Sequence, residues 1–241
     1  MARSFLSRLR RCAALLAGAQ PSIEEAQRRL AWDDAQQYIY ARSGPTTRVF
    51  EDHWALRREA FAQRPDTGLI LEFGVFQAKS FNFFADLAHE ADDGRTLHGF
   101  DSFSGFSEHW GGVDRQYAVD HFDQQGARPD VRSNCALVDG FVEDTLPAFL
   151  ERHDEVFAFV HIDTDTYSPA RTVLEFCRPR LRAGSIVLFD ELLGYPNWRN
   201  HEHRALTEAL SPDEYSYVGF ATSSPEARLI KAAIRIEKDL T

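Results

Sequence analysis

Two short apolar stretches of this 241-residue chain end abruptly at acidic residues. The stretches are Val156–Ile162 and Ser185–Phe189, and the acids that follow them are Asp163, Asp165, Asp190 and Glu191. Runs of this length, rich in Val, Ile and Phe, are typical of strands buried on both faces of a parallel sheet. Carboxylates fit at the C-terminal ends of such strands, where open α/β sheets bind ligands. If the two strands are neighbours, their acids converge, and a cation or a substrate is needed to offset the repulsion.

A second candidate site lies where an earlier apolar run, Leu69–Phe73, meets a helical segment. Gly74 lets the backbone turn tightly, and Ser80 could cap the helix, whose N-terminus attracts anionic groups. Asp101 ends the next apolar run, where an acid commonly binds the two hydroxyls of a ribose. A tight turn alone would explain Gly74, and the turn lacks the further glycines of a dinucleotide fingerprint. Together with Glu72 and Asp101, however, Gly74 predicts an adenosine-type cofactor.

The composition limits the class of partner. The chain is 44% hydrophobic and carries a formal charge of −10, which argues against disorder and against a nucleic-acid partner. The three cysteines, Cys12, Cys135 and Cys177, form neither a disulfide framework nor a zinc pattern, so we expect a reducing, cytoplasmic setting. No apolar stretch approaches the roughly 18 residues of a membrane span.

Strands and helices that alternate along the chain must position these residues. Strands are predicted at Leu69–Phe73, Thr96–Phe100, Ala136–Val138, Val156–Ile162, Ser185–Phe189, Tyr215–Ala221 and Arg228–Ile236. Helices are predicted at Ser22–Arg42, Phe50–Arg64, Phe81–Ala91, Gln116–Gln125, Thr145–Arg152, Ser168–Arg180 and His201–Leu210. The pattern predicts an α/β fold with a doubly wound, mostly parallel seven-stranded sheet, whose last two strands form an antiparallel hairpin. We expect residues 1–65 to be a helical appendage and residues 66–241 to be the catalytic domain.

The first 20 residues allow two interpretations. Met1–Arg11 is rich in arginine and Cys12–Ala19 is apolar and small, as in a weak signal peptide. The apolar part is short, however, and its leucines and alanines recur at helical spacing, which favours a docking or surface-lying amphipathic helix.

Several motifs resemble those of class I S-adenosylmethionine (SAM)-dependent methyltransferases, and most closely the macrocin O-methyltransferase (TylF-like) group. They occur in the family's order between about Leu69 and Leu210. They are Glu72–Phe76, Gly99–Phe106, Gly140–Pro147, His161–Ser168, Phe189–Glu191 and Tyr195–Glu202.

The resemblance implies a Rossmann-like fold and a role for each matching position. Glu72, Gly74 and Ser80 would lie near the methionine part of SAM, and Asp101 would hold the ribose. The residues expected to enclose the adenine are Ser102, Phe103, Gly140, Phe141 and Val142. A glycine is usual where this chain has Ala78, whose methyl group would crowd the cofactor or only shift the turn slightly.

The resemblance also implies a metal site. Asp163, Asp190 and Glu191 match the positions that hold a divalent cation in metal-dependent O-methyltransferases, and Mg2+ prefers such oxygen ligands. A hydroxyl bound to a cation loses its proton more easily and becomes a better nucleophile. Asp165 would be a contact outside the metal's own ligands, a substrate contact or a helix cap. Alternatively, the acids cap loops and pair with arginines such as Arg171, Arg199 or Arg204. A further alternative is catalysis without a metal, with an acid or a histidine such as His201 as general base.

The predicted activity is methyl transfer from SAM to a hydroxyl of a small molecule, with assistance from Mg2+. The resemblance suggests a sugar-containing acceptor, and a homo-oligomer is compatible with the sequence. A nicotinamide-dependent oxidoreductase and a non-catalytic nucleotide-binding protein are the alternatives. The aromatic loops Ser102–Asp114 and Leu192–Asn200 would form lids or substrate walls, and His161 would be either a paired core histidine or a base.

Overall fold

A computed structural model describes residues 21–106, 108, 122–222 and 228–240, in which strands and helices alternate. The helices are α1 (Ile23–Arg42), α2 (His53–Ala62), α3 (Lys79–Glu90), α4 (Val142–Leu150), α5 (Tyr167–Cys177) and α6 (Glu202–Ala209). The strands are β1 (Arg48–Phe50), β2 (Leu69–Phe73), β3 (Leu97–Asp101), β4 (Cys135–Asp139), β5 (Phe157–Ile162), β6 (Leu181–Leu193), β7 (Tyr215–Thr222) and β8 (Ile230–Ile236). Two short 3-10 turns, Arg178–Arg180 and Trp198–Asn200, follow α5 and precede α6.

The strands form one sheet in the order β1-β7-β8-β6-β5-β2-β3-β4. All neighbours are parallel except the pairs that β8 makes with β6 and β7. From β2 the chain moves outward to β3 and β4 and then returns to add β5 and β6 on the other side. After β2 and β5 the chain therefore runs in opposite directions along the sheet, which leaves a crevice at the carboxyl edge, where such sheets bind ligands.

The alternation of side chains along the strands builds a core on each face of the sheet. One core packs α1, α4, α5 and α6 against the sheet and includes Leu71, Phe73 and Val187. The other packs α2 and α3 against the sheet and includes Ile70 and Leu188. Because both faces are covered, the central strands consist of apolar residues on both sides, as the sequence pattern predicts.

The predicted doubly wound α/β fold is confirmed, with two differences. Arg48–Phe50, which the sequence analysis assigned to a linker and a helix, is an eighth strand at the edge beside β7. The predicted end of a strand at Phe189 is wrong, because β6 continues through Asp190 and Glu191 to Leu193. The strand tolerates these acids because basic side chains from other elements pair with them there.

The structure also bears on the predicted N-terminal helix and on the predicted domain boundary. Ser22 caps α1, since its hydroxyl accepts the backbone N–H of Glu25 at 3.1 Å. The domain boundary near residue 65 stays a prediction; β1 and α2, which precede it, join the sheet and one of its cores. The interpretations of Met1–Ala19 and of most of Gln116–Gln125 lie outside the described residues.

None of the described helices combines the length and the apolar character needed to cross a membrane.

Candidate functional site

The loops after β2 and β5 touch at the crevice. Gly74 has a φ of +88°, and a Cβ built on it would lie 1.9 Å from the carbonyl oxygen of Asp163. The N–H of Asp163 donates to the carbonyl oxygen of Phe73 at 2.8 Å, and the N–H of Gly74 donates to that of Phe100 at 2.9 Å. Both the backbone conformation and the close approach therefore require glycine at position 74.

A cavity of about 410 Å³ opens above this contact. Its wall contains several residues predicted to bind the cofactor or a metal, namely Gly74, Asp101, Ser102, Phe141, Val142, Asp163, Asp190 and Glu191. Gly140, Phe76, Phe106 and Phe122 add to one side, and Thr164, Asp165, Thr166 and Leu229 lie near the acids. The two candidate sites found in the sequence thus form one cavity, large enough for a small molecule.

Four predicted site residues do not line this cavity. Glu72 and Ser80 lie beneath it, and Phe103 is buried in the core with α2 and α3. His201 precedes α6 and is buried next to the ring of Tyr195, with the two ring centroids 6.0 Å apart. The structure therefore does not place the candidate base His201 in the wall with Asp163.

Asp101 organises the loop after β2. One of its oxygens accepts the N–H groups of Val75 and Phe76, each at 2.7 Å, and the other accepts that of Phe103 at 2.7 Å. The carboxylate thus fixes the loop that turns at Gly74 while it lines the cavity. Its contact with a ribose stays a prediction.

Ser80 is not a helix cap, contrary to the sequence prediction. It is the second residue of α3, and its hydroxyl donates to Glu72 at 2.9 Å. The other oxygen of Glu72 bonds His161 Nδ1 at 2.9 Å, and His161 Nε2 lies 3.4 Å from Asp190. His161 is therefore a paired core histidine. Burial alone would lower its pKa, but the carboxylates on both sides outweigh burial and raise it.

Ala78 occupies the αL conformation at the start of α3, with φ 57°. This backbone conformation explains why a glycine suits the position. The methyl group does not crowd the cavity, because it is fully buried in the core formed with α2 and α3. The methyl group therefore leaves the cavity unobstructed, and the slight shift of the turn stays a prediction.

Two buried basic side chains hold Asp190. Arg57 of α2 bonds one of its oxygens, and Lys231 of β8 bonds the other. Lys231 also donates to the backbone carbonyl of Asp190 at 3.1 Å and to Glu191 at 3.2 Å. Burial by itself would raise the pKa of Asp190, but Lys231 and Arg57 outweigh it and hold the pKa well below its usual range. The predicted pairing of acids with basic residues is thus correct for Asp190, although with different partners.

Asp163, Asp165 and Glu191 form a carboxylate cluster, and Asp163 also lies close to His161 and Asp190. Each acid of the cluster offers an oxygen, and these oxygens lie within 4.8 Å of one another. Glu191 Oε2 is buried without a hydrogen-bond partner among the described residues. Burial raises the pKa of all three, and repulsion from neighbouring carboxylates, including Asp190, raises it further, that of Glu191 to about 7. Although Lys231 bonds one oxygen of Glu191, three close oxygen donors that repel one another suit a hard divalent cation.

Sequence reasoning missed three residues that shape the site: Arg57, Lys231 and Glu202. Glu202 is fully buried at the start of α6 and reaches the loop that carries two acids of the carboxylate cluster. Lys231 lies in the strand Ile230–Ile236, whose other charged residue is Arg235, and a lysine between apolar residues of a buried strand is the local signal that could have revealed it. Arg57 and Glu202 sit in ordinary amphipathic helices, where a single charge carries no such signal.

Comparison with known protein families agrees with this geometry. A family profile described as "Methyltransferase domain" matches residues 71–192, slightly more than half of the chain. The chain belongs to this methyltransferase family. The match extends from β2 to the second of the acid-bearing strands, so it includes both loops that meet at Gly74 and Asp163. The protein is a SAM-dependent methyltransferase with a Rossmann-like fold.

Solved structures extend the comparison. CalS11, a calicheamicin methyltransferase, is 30% identical, and the alignment covers 75% of this methyltransferase and 76% of CalS11 with a TM-score of 0.57. A second, apo structure describes CalS11 as a TDP-rhamnose 3'-O-methyltransferase and gives 30% identity, 76% and 77% coverage and a TM-score of 0.54. The O-methyltransferase NovP shares the fold at 18% identity, with a TM-score of 0.56 over 77% and 79% of the two chains. No curated protein matches the chain by sequence.

Proposed function

We propose that this methyltransferase transfers the methyl group of SAM to a hydroxyl oxygen of a sugar-containing small molecule, with a divalent cation held by the carboxylate cluster. The observation that carries the proposal is the contact between Gly74 and Asp163. It joins the loop expected to hold the methyl donor to the loop that bears two of the three clustered acids. A donor at the first loop and an acceptor at the second would then share one cavity.

The proposed cation set differs from the sequence prediction. Asp190 belonged to the predicted set, but both of its oxygens are bound by basic side chains. Asp165 replaces it because its carboxylate lies with those of Asp163 and Glu191. The unpartnered oxygen of Glu191 and the all-oxygen donor set support Mg2+ or Mn2+ as the ion.

The chemistry follows from the residues of the cavity. A bound cation would lower the pKa of an acceptor hydroxyl and orient it. The hydroxyl oxygen forms a bond to the methyl carbon of SAM while the carbon–sulfur bond breaks, and S-adenosylhomocysteine leaves. The hydroxyl proton passes to a carboxylate, for which Asp163 is best placed because its backbone borders the donor loop. The chain's main task is to hold oxygen, carbon and sulfur in line.

The charge of the cavity bears on the acceptor. Among the described residues that line it, six are acidic, and none is lysine or arginine. Arg57 and Lys231 compensate Asp190, and the proposed cation would compensate the carboxylate cluster, but the described lining offers a diphosphate group no basic side chain of its own, so such a group would be disfavoured. We therefore propose a glycoside or another phosphate-free sugar derivative, in contrast to the TDP-rhamnose named for CalS11. Membership of the macrocin O-methyltransferase group, which rests on the sequence motifs, is part of the same proposal.

Labelled SAM offered with a panel of acceptors tests this function. We expect incorporation into a neutral glycoside at least about tenfold faster than into a nucleoside-diphosphate sugar. Calorimetry should show that S-adenosylhomocysteine binds to wild type and to Asp163→Asn alike, while Asp163→Asn loses turnover. The matched control is Asp139→Asn, an exposed acid at the end of β4, which should keep both. Failure of S-adenosylhomocysteine to bind, or equal turnover in Asp163→Asn, would reject the proposal.

The cation is tested separately. We expect exhaustive chelation to abolish turnover and Mg2+ to restore it. Activity that survives chelation and does not respond to Mg2+ would leave the metal-independent mechanism, with an acid as general base, as the correct one.

A further inference from the structure

The turn that carries two acids of the carboxylate cluster has an unusual backbone. Asp165 has a φ of 61°, in the left-handed region that residues other than glycine rarely adopt. Its neighbour Thr164 is half-buried, and the N–H of Thr166 donates back to the carbonyl oxygen of Thr164 at 2.6 Å. Such a conformation persists only where the surroundings hold it in place. The position of the Asp165 carboxylate depends on it.

Glu202 supplies the contacts that hold this turn. Its Oε1 accepts the backbone N–H of Thr164 at 3.2 Å and that of Asp165 at 3.3 Å. No other hydrogen bond from these two N–H groups occurs among the described residues. Glu202 itself is the first residue of α6 and belongs to an element 37 residues away from Asp165 in sequence.

Burying a carboxylate at position 202 is energetically unfavourable. Glu202 is 0% exposed, and its Oε2 has no hydrogen-bond partner among the described residues. It also lies close enough to Asp190 and Glu191 to be repelled by them. Helix packing alone would be served better by an apolar residue, because a buried charge without full pairing destabilises a fold. A carboxylate at position 202 is therefore explained by its role as acceptor for the N–H groups of Thr164 and Asp165, which have no other acceptor among the described residues.

From these contacts we infer that Glu202 is a positioning residue, which holds the Thr164–Asp165 turn so that Asp165 lies beside Asp163 and Glu191 and thereby sets the affinity of the site for a divalent cation. The inference rests on the proposed function, since it concerns the cation of the same site. Glu202 acts through the backbone, and we assign it no contact with the cation or with SAM. Partners of this kind, which orient metal ligands, commonly change metal affinity by about 10- to 100-fold when removed.

The test compares Mn2+ binding, followed by electron paramagnetic resonance, in wild type, Glu202→Leu and Glu202→Gln. Leucine removes the acceptor and fills the space, whereas glutamine keeps an oxygen for the two N–H groups. We expect Glu202→Leu to weaken Mn2+ binding at least about tenfold and Glu202→Gln to stay within about threefold of wild type. S-adenosylhomocysteine affinity should change less than about twofold in both. The matched control is Glu208→Gln, an exposed acid of the same helix, which should leave Mn2+ binding unchanged.

Each contrary result has a distinct meaning. If wild type binds S-adenosylhomocysteine but no Mn2+, the proposed cation is wrong, and the inference falls with it. If wild type binds Mn2+ and Glu202→Leu binds it as tightly, or if Glu202→Gln loses as much as Glu202→Leu, only the inference is wrong. Should Glu202→Leu fail to fold, amide exchange in wild type decides: the inference requires the N–H groups of Thr164 and Asp165 to be protected, and fast exchange at both overturns it.

Discussion

The backbone of Gly74 packs against the carbonyl oxygen of Asp163 with no room for a side chain, since a Cβ at position 74 would lie 1.9 Å from that oxygen. This contact joins the ends of two neighbouring parallel strands, β2 and β5. It fixes the distance between the loop expected to hold SAM and the loop that carries two acids of the carboxylate cluster. Most of the predictions below concern the groups around this contact.

Gly74→Ala should damage both folding and cofactor binding. The new methyl group would meet backbone atoms of Asp163, and alanine disfavours the φ of +88°. We expect a loss of about 3 kcal/mol or more in the free energy of unfolding, from overpacking and backbone strain together. Denaturant unfolding and calorimetry with S-adenosylhomocysteine measure the two effects.

Gly94→Ala is the matched control for this substitution. A Cβ on Gly94 has nothing within 4 Å, and its φ lies outside the strained region. We expect a change within about 0.5 kcal/mol and unchanged cofactor affinity. Equal effects of the two alanines would contradict the importance of the Gly74–Asp163 contact.

Lys231→Met should destabilise the protein strongly. Lys231 is 3% exposed, and its ammonium group bonds both the carboxylate and the backbone carbonyl oxygen of Asp190. Removing one partner of a buried pair typically costs about 3–5 kcal/mol, although Arg57 continues to compensate Asp190 in part. We therefore expect a loss near about 3 kcal/mol in denaturant unfolding.

A double variant separates the ion pair from simple packing. Asp190→Asn combined with Lys231→Met removes the uncompensated charge. The double variant should therefore lose at least about 1 kcal/mol less free energy of unfolding than the sum of the losses of the two single variants. Lys238→Met, which breaks the exposed pair with Asp213, should leave stability unchanged. Purely additive losses would show that the Lys231–Asp190 pairing is unimportant.

Asp165→Asn and Asp190→Asn should differ in their effect on cation binding. Asp165 belongs to the carboxylate cluster, whereas the oxygens of Asp190 are bound by Arg57 and Lys231. We expect Asp165→Asn to weaken Mn2+ binding at least about tenfold and Asp190→Asn to weaken it less than about threefold, while lowering the unfolding temperature. The reverse order would restore the set predicted from the sequence, Asp163, Asp190 and Glu191.

His203 should make the protein sensitive to acid. Burial and the positive charge of Arg199 lower the pKa of His203 from 6.5 to about 4. The unfolded chain therefore takes up a proton that the folded chain refuses as the pH falls from about 6.5 towards 4, so stability is complete above this window and declines within it. The difference between the two pKa values corresponds to a loss of about 3 kcal/mol at most in the free energy of unfolding.

His203→Phe isolates this contribution. Phenylalanine can keep ring contacts with Tyr38 and Trp198 but has no proton to gain. Between pH 7 and pH 4 the free energy of unfolding of wild type should fall by about 2–3 kcal/mol more than that of the variant. His89→Gln, at an exposed position of α3, is the control and should follow wild type. Parallel curves for wild type and His203→Phe would reject this role.

Much of the site was accessible from local sequence. Gly74, Asp101 and Asp163 each follow or end a strong apolar run, and the ends of parallel strands meet at one edge of a sheet. The strand at Arg48–Phe50 was missed because it has three residues, two of them exposed, and lies at the edge of the sheet. The extension of β6 through Asp190 was missed because two acids within a buried strand contradict its local pattern.

The sequence by itself determined the alternation of strands and helices, the glycine turn and the order of acids along the chain, because each depends on hydrophobic period and on the conformational range of single residues. Only the tertiary structure decided which acids act together. Lys231 and Arg57 reach Asp190 from 41 and 133 residues away, and Glu202 reaches the turn at Asp165 from 37 residues away. The local sequence does not show which partner a charged side chain will have. The difference between Asp190, held by two basic side chains, and the carboxylate cluster therefore arises only when the folded chain brings these groups into contact.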